Sequence, residues 1–358
     1  MSAICEFYDQ EGFRIAQSKF LGEIIMKTLL KGLVAATILS TTLAISSLAA
    51  AVDLPATIRV IVAYNAGGSS DTLARVTIPR WEAALEEITG QSTNTVIVNA
   101  PGAGGEIGWT RLSQAAGDGG TIGVINLPAV PLVERTRNSA YKPWLESFAP
   151  IAVNVIDPNV ARLAKTSKYK TMQEAIDAAI ANPGSVTVGA DGPLSDDHAA
   201  MYAIEEATGA KFTFIPYSGS SAANRAFMAG EVDIVIGNVF DHTKSAEAAA
   251  EAMVLLPSRY DFIPDVPTAE ELVGIKGLDL GSVRGFAAPA SIDPELLKLY
   301  QDAFAMAYAD EAFIAEMRAK NLTVVDALVG DAFGQKMADQ EKLADTLFPL
   351  FKAGGYAE

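Results

Sequence analysis

The stretch Ile58–Arg75 constrains the fold more than any other. Thr57–Ala63 is an apolar, β-branched run of the kind that forms a strand buried on both faces. Tyr64-Asn65-Ala66-Gly67-Gly68 breaks the run, and Ser69-Ser70-Asp71 then offers N-cap residues for a helix. The first N–H groups of a helix have no internal partner and lie at the positive end of its dipole. Paired glycines let an anion reach them, because no Cβ intervenes. The stretch is therefore read as half of a site for a small carboxylate, with Tyr64, Asn65, Gly67, Gly68, Ser69 and Ser70 as candidate contacts; a plain tight turn is the alternative. Asp71 would repel an anion. It is expected to brace the loop or cap its helix, with a ligand ammonium as the alternative partner.

The theme recurs. After strand Thr95–Val98, Asn99-Ala100-Pro101-Gly102-Ala103-Gly104-Gly105 forms a second glycine loop ahead of a helix expected from Glu106 to Ala116, which adds Ala103, Gly104 and Gly105 as candidates. Between the loops, Ser70–Gly90 reads as a helix with Leu73, Val76, Trp81, Leu85 and Ile88 on one face, kinked or divided by Pro79. Strand Thr121–Ile125 ends at Asn126. Such alternation predicts a parallel sheet with its loops gathered at the C-terminal edge of the strands.

A second set of units follows. Thr171 to Glu174 matches a capping box. Strand Val186–Gly189 leads to a helix starting near Ser195. Strand Phe212–Tyr217 leads through Ser218-Gly219-Ser220 to a helix ending at Gly230, and strand Val232–Ile236 ends at Gly237-Asn238. Ile151–Leu163 and Leu278–Ala288 are extended and read as crossovers between two α/β domains. Asp265-Val266-Pro267-Thr268 opens a short helix, and Asp293-Pro294-Glu295 a longer one. Strand Thr323–Val325 and a helix from Gly330 to Phe351 close the chain.

Length suits two domains: 358 residues, half of them apolar. Met26-Lys27-Thr28-Leu29-Leu30-Lys31, the apolar run Gly32–Leu48 and Ala49-Ala50-Ala51 read as a secretory signal peptide cleaved near Ala49 or Ala51, and residues 1–25 as an extension from a start assigned too early. The single cysteine, Cys5, lies in that extension, so the mature chain is expected to lack disulfides, and a periplasm is the expected compartment. A net charge of −16 argues against nucleic-acid binding. It does not exclude a bound anion, because exposed charges beyond about 8 Å are largely screened at physiological ionic strength.

Six stretches in order together resemble one family: Tyr64-x-Ala66-Gly67-Gly68-x-x-Asp71, Asn99-x-Pro101-Gly102-Ala103-Gly104-Gly105-x-x-Gly108, Ile215-Pro216-Tyr217-x-Gly219, Gly230-x-Val232-Asp233, Pro264-Asp265-Val266-Pro267-Thr268 and Gly285-Phe286-x-Ala288-Pro289-Ala290. The family is that of the substrate-binding proteins of tripartite tricarboxylate transporters, the Bug-type periplasmic receptors. The resemblance implies a type II periplasmic-binding-protein fold, two doubly wound α/β domains joined by two crossover strands. It implies one carboxylate held by main-chain amides of the first domain's glycine loops, and the ligand's far end met by the Ser195 helix start and Ser218, Gly219 and Ser220. Ala63 and Asn65 stand where the family usually has proline, Ala100 where it often has arginine, and Val283 where it often has an aromatic residue.

Ser195, Ser218 and Ser220 either cap helices or touch ligand; Asn126 and Asn238 either bind or turn the chain. Arg284 either offers a fork to a second carboxylate or pairs with an acidic residue. His198 and His242 are read as surface or first-turn residues, and Asp196-Asp197 as helix-start charge. No metal or cofactor is expected. A dinucleotide site is disfavoured, because Asn126 stands where its acidic residue belongs, and no Gly-x-Ser-x-Gly elbow appears. The expected organisation is domain 1 at 52–156 plus 278–358 and domain 2 at 157–277. The expected function is that of a monomeric periplasmic receptor, not an enzyme, that delivers a di- or tricarboxylate or related acid to membrane transporter subunits. A ligand-sensing subunit for a signalling kinase and, further off, a secreted α/β enzyme are the alternatives.

Overall fold

The computed structural model describes residues 52–356; the expected extension, leader and Cys5 lie outside the described residues. Among the described residues ten strands run in chain order: β1 (Thr57–Val62), β2 (Asn94–Asn99), β3 (Thr121–Leu127), β4 (Phe148–Ala164), β5 (Thr187–Ala190), β6 (Thr213–Pro216), β7 (Ile234–Asn238), β8 (Ala249–Val254), β9 (Gly281–Pro289) and β10 (Val324–Val329). In the first lobe, β2, β1 and β3 are parallel, and β9 joins β3 antiparallel. In the second lobe, β6, β5 and β7 are parallel. The 17-residue β4 belongs to both. It pairs antiparallel with β9 as far as Pro158↔Gly281 and with β7 from Asn159↔Asn238 onward. β10 and β8 pair with its two ends. Both expected crossovers are therefore strands.

The helices are α1 (Ser69–Thr89), α2 (Glu106–Ser113), α3 (Ala129–Thr136), α4 (Trp144–Ser147), α5 (Met172–Ala181), α6 (Asp196–Thr208), α7 (Ser220–Ala229), α8 (Val239–Ser245), α9 (Ala269–Val273), α10 (Pro294–Ala309), α11 (Glu311–Ala319) and α12 (Asp331–Ala353). Pro79 neither divides nor ends α1, which continues through it. The proline is exposed while Leu73, Ala74, Ile78, Trp81 and Leu85 are buried, and Trp81 stacks on Phe304 of α10 with ring centroids 5.2 Å apart. Packing of that face outweighs the cost of a mid-helix proline, about 3 kcal/mol. Ile88, expected on the same face, is exposed.

Several caps match their residues. Asp293 accepts from the N–H groups of Glu295 and Leu296, and Thr268 and Glu271 form a reciprocal capping box. The expected box at Thr171 is only half made: Thr171 accepts from the Glu174 N–H, but Glu174 turns its own carboxylate to the Lys170 N–H. Helices α3, α4 and α8 and strand β8 were not expected from the sequence. The first two carry no strong start signal, since α3 and α4 follow prolines with no side-chain cap, whereas α8 starts at Asn238, whose N–H donates to Asp241.

Candidate functional site

The parallel strands of both lobes end at one edge, and the loops leaving them meet there. Tyr64–Gly68 links β1 to α1, and Ala100–Gly105 links β2 to α2. Asp191–Ser195 links β5 to α6, and Tyr217–Gly219 links β6 to α7. Between them lies a cavity of about 310 Å³, lined by Tyr64 and Pro101–Gly105 from one lobe and by Asp191, Pro193, Pro216, Tyr217 and Ser218 from the other. No lysine, arginine or histidine lines it. Of the sequence-expected residues, Tyr64, Ala103, Gly104, Gly105 and Ser218 are thus brought together on its wall. A larger groove of about 620 Å³ lies between α12 and α6, lined by residues such as Tyr202, Phe214, Leu350 and Tyr356. None of the expected site residues faces it.

The lobes are closed on each other. Asn65 Nδ2 donates to Ser218 Oγ at 2.8 Å, and Ser221 Oγ donates to the Ala66 carbonyl at 3.4 Å. Gly104, at φ +68, comes so near the opposite loop that a Cβ would lie 2.7 Å from the Pro193 carbonyl oxygen. Gly105, at φ +102, lies against Trp109, whose ring would be 2.5 Å from its Cβ. Only glycine satisfies both the left-handed backbone and these approaches.

Of the four helix starts that follow β1, β2, β5 and β6, three have no side-chain cap: α1 after Gly68, the turn Ala103–Gly105 ahead of α2, and α7 after Gly219. Their first N–H groups are free of side-chain acceptors. The α1 and α7 starts face each other across the cleft, with the position of a Gly68 Cβ 3.2 Å from Ser220 Oγ. Two positive helix ends so placed repel unless something negative lies between them. The fourth start is different. Ser195 Oγ accepts from the His198 N–H at 3.2 Å and donates to the Gly192 carbonyl at 2.9 Å, so this hydroxyl is committed to its cap.

Asp71 is tied inside its own loop. Oδ2 accepts from the Gly67 N–H and from Arg75 Nε, each at 2.9 Å, and Oδ1 accepts from Asn99 Nδ2 at 3.0 Å. Burial pushes this carboxyl up, but the Arg75 guanidinium and the Gly67 and Asn99 donors outweigh it and hold the carboxyl below its ordinary value. The Gly67 amide is thereby used, and Gly67–Asp71 stand beside the cavity, not on its wall. Ser70 Oγ accepts from Asn126 Nδ2 at 2.9 Å. Of the two uses open to Arg284, pairing is the one seen: Nη1 donates to Asp157 Oδ2 at 2.5 Å and Nη2 to Asn238 Oδ1.

Residues 80–344 match the sequence profile of the tripartite tricarboxylate transporter family receptor. The chain belongs to that family. A Cupriavidus necator relative, the UPF0065 protein in the gbd 5′ region, is 31% identical over 257 residues, covering 69% of this chain and 73% of the relative. Among solved structures, the periplasmic binding protein BugD superposes with a TM-score of 0.72 at 23% identity, over 84% of this chain and 98% of that one. An R. palustris protein solved with adipate gives 0.71 at 22% identity, over 85% and 99%. The fold is that of the periplasmic binding proteins, in two α/β lobes.

Behind the second-lobe wall of this receptor lies a group of charges that sequence reading did not assemble. Asp157, Asp196, Asp197 and Asp241 are buried, with Asp191 beside them on the cavity wall. Asn159 Nδ2 donates to Asp196 Oδ2 at 2.8 Å and Asp197 Oδ1 at 2.9 Å, and Asn238 Nδ2 donates to Asp196 Oδ2 at 2.9 Å. Asp196-Asp197 stand at the helix start, as expected, and are enclosed there. Burial, opposed by Arg284, leaves the Asp157 carboxyl at about 6. Both histidines are in first turns, but neither is on the surface: burial pushes His198 down to about 3, and His242, which also faces Arg162, to about 4. His198 stacks on Phe214 at 3.8 Å. The sequence signal for this group was the recurrence of aspartate at strand ends and helix starts. Which of those side chains turn inward is settled by tertiary packing.

Proposed function

We propose that this receptor closes over a small organic acid, a di- or tricarboxylate or a related carboxylate, and delivers it to a tripartite tricarboxylate-type membrane transporter from the periplasm. The observation that carries the reading is the pair of uncapped helix starts, at Gly68 and Gly219, opposed across the cleft with an uncapped glycine turn at Ala103–Gly105 beside them. An anion between those ends satisfies free N–H groups from both lobes at once, and so favours the closed form. Each helix start contributes about 0.3–2 kcal/mol, and charge-assisted hydrogen bonds about 1.5–3 kcal/mol each before ordering costs. A handful reaches micromolar affinity, about −8 kcal/mol. The bound adipate of the R. palustris neighbour supports the ligand class.

The remaining parts of the proposal follow from the sequence reading. The leader is removed near Ala49 or Ala51, the lobes divide as 52–156 plus 278–358 and 157–277, and the hinge lies where β4 and the stretch leading into β9 pass between them. A thermal-shift screen of the mature chain against C4–C6 dicarboxylates, citrate and acidic amino acids tests the function. A ligand at 100 times its Kd should add about 2.7 kcal/mol. No stabilisation by any carboxylate would remove the reading.

A further inference from the structure

The loop Asp191–Ser195 supplies part of the second lobe's cavity wall, and one of its residues holds an uncommon backbone. Leu194 sits at φ +68, in the left-handed region that apolar L-residues rarely enter. Its side chain is buried in the core, and nothing in a leucine selects that conformation. The selection comes from a neighbour. The Leu194 N–H donates to Nδ1 of His198, in the first turn of α6, at 3.2 Å. His198 is itself wholly buried, and burial lowers its ring to about 3, so Nδ1 keeps its lone pair at working pH.

That hydrogen bond fixes a whole peptide plane. The Leu194 N–H and the Pro193 carbonyl belong to one trans peptide and point opposite ways. With the N–H held by His198, the Pro193 oxygen is aimed at Gly104 of the first lobe, where a Cβ would lie 2.7 Å from it. A flip of this peptide would return Leu194 to an ordinary φ, take the oxygen off Gly104 and leave an N–H in its place. The ring that prevents the flip is held in turn. Phe214 lies parallel to it within 7°, and Phe351 and Tyr356, at the C-terminal end of α12 and just beyond, stand across it at 82° and 78° with centroids 5.0 and 4.7 Å away. Its Nε2 has no hydrogen-bond partner among the described residues, so Nδ1 is the nitrogen put to use.

Resting on the receptor reading above, we infer that His198 is a positioning residue for the cleft: by accepting the Leu194 N–H it locks the Pro193–Leu194 peptide in the orientation that meets Gly104 when the lobes close, and the aromatic end of the chain keeps its ring from turning. His198 is not on the cavity wall and acts through Pro193, which is. The role is separable from support of α6, because the cap at Ser195 takes the backbone N–H of residue 198 whatever side chain stands there. It is also separable from packing. Phenylalanine keeps a ring among the aromatic neighbours but has no acceptor, and leaves the buried Leu194 N–H without a partner. Asparagine loses the ring and places its Oδ1 where Nδ1 stood.

Calorimetric titration of the mature receptor, His198→Phe and His198→Asn with succinate, adipate and citrate tests this, with melting curves for all three proteins. For each acid that the parent binds, His198→Phe should lose about tenfold in affinity or more, and His198→Asn should stay within about threefold of the parent while melting below the phenylalanine variant. Amide exchange reads the same bond without ligand: the Leu194 N–H should be protected in the parent and in His198→Asn, and should exchange about tenfold faster or more in His198→Phe. A phenylalanine variant that binds as the parent does, or affinities that follow the order of melting, overturns the assignment of His198 and leaves the carboxylate receptor standing. Failure of all three acids to bind the parent overturns the receptor reading instead, and equal Leu194 exchange in the two variants then overturns the assignment as well.

Discussion

At the scale of single residues, Asp71 and Gly68 separate bracing from binding. All three donors around Asp71 come from its own loop and its neighbours Arg75 and Asn99. Asp71→Asn must turn an N–H₂ toward one of them, and should cost about 1–3 kcal/mol of stability with only a modest loss of affinity for a plain diacid; equilibrium denaturation alongside calorimetry reads both. Gly68 has an ordinary φ of −79°, and its obstacle is the Ser220 hydroxyl of the other lobe. Gly68→Val should leave unliganded stability within about 0.5 kcal/mol and lower ligand affinity more than tenfold. Gly105→Val is a different case. Its Cβ would enter the buried Trp109 ring at a left-handed φ, so it should cost about 2 kcal/mol or more before any ligand is considered. The glycines were legible because only a few local conformations need them. The enclosure of Asp196 and Asp197 was not, because nothing adjacent in the chain says that Asn159 and Asn238 would reach them.

At the scale of elements, the strand-to-helix alternation was readable because each strand is a β-branched run that stops at a turn residue. The short helices α3, α4 and α8 were not, since tertiary contacts fix them. Capping divides the helix starts at the cleft into two kinds. Ser195 closes α6 with its own side chain, and Ser195→Ala should cost about 1 kcal/mol of stability while changing ligand affinity little. The charge at this helix start shows in a difference curve. The Asp191 carboxyl rises from its ordinary 3.8 to about 7 on folding, so the folded chain holds its proton longer than the unfolded chain. The stability so contributed is present below about pH 4 and lost as pH climbs through 7. Asp191→Asn should therefore gain on the parent as pH climbs from 4 toward 7, with Asp197, which Asp191 helps to raise, titrating alongside it. His198 and His242, lowered to about 3 and about 4, run with the opposite sign below pH 6.5. The variant-minus-parent difference, not the parent's own melting profile, is the reading to compare.

At the scale of the whole molecule, the two lobes were legible from two extended stretches without helical period. Where β4 changes partner, between Pro158 and Asn159, was not, since that point leaves no mark in the residues. The Asn65–Ser218 contact spans the cleft and is among the few side-chain bonds that exist only when the lobes meet. Asn65→Ala should shift the unliganded population toward the open form by about 0.5–1.5 kcal/mol, seen as a larger radius of gyration by small-angle scattering and reversed by saturating ligand.

The shared strand also dictates how the molecule swings. With no loop between its two sheets, β4 can only twist, while the second link, residues 274–280 ahead of β9, has no regular structure and follows, so β4 gives the two halves one stiff route between their end points. Dyes placed on opposite rims should then report two narrow distance populations that exchange, with no broad continuum between them.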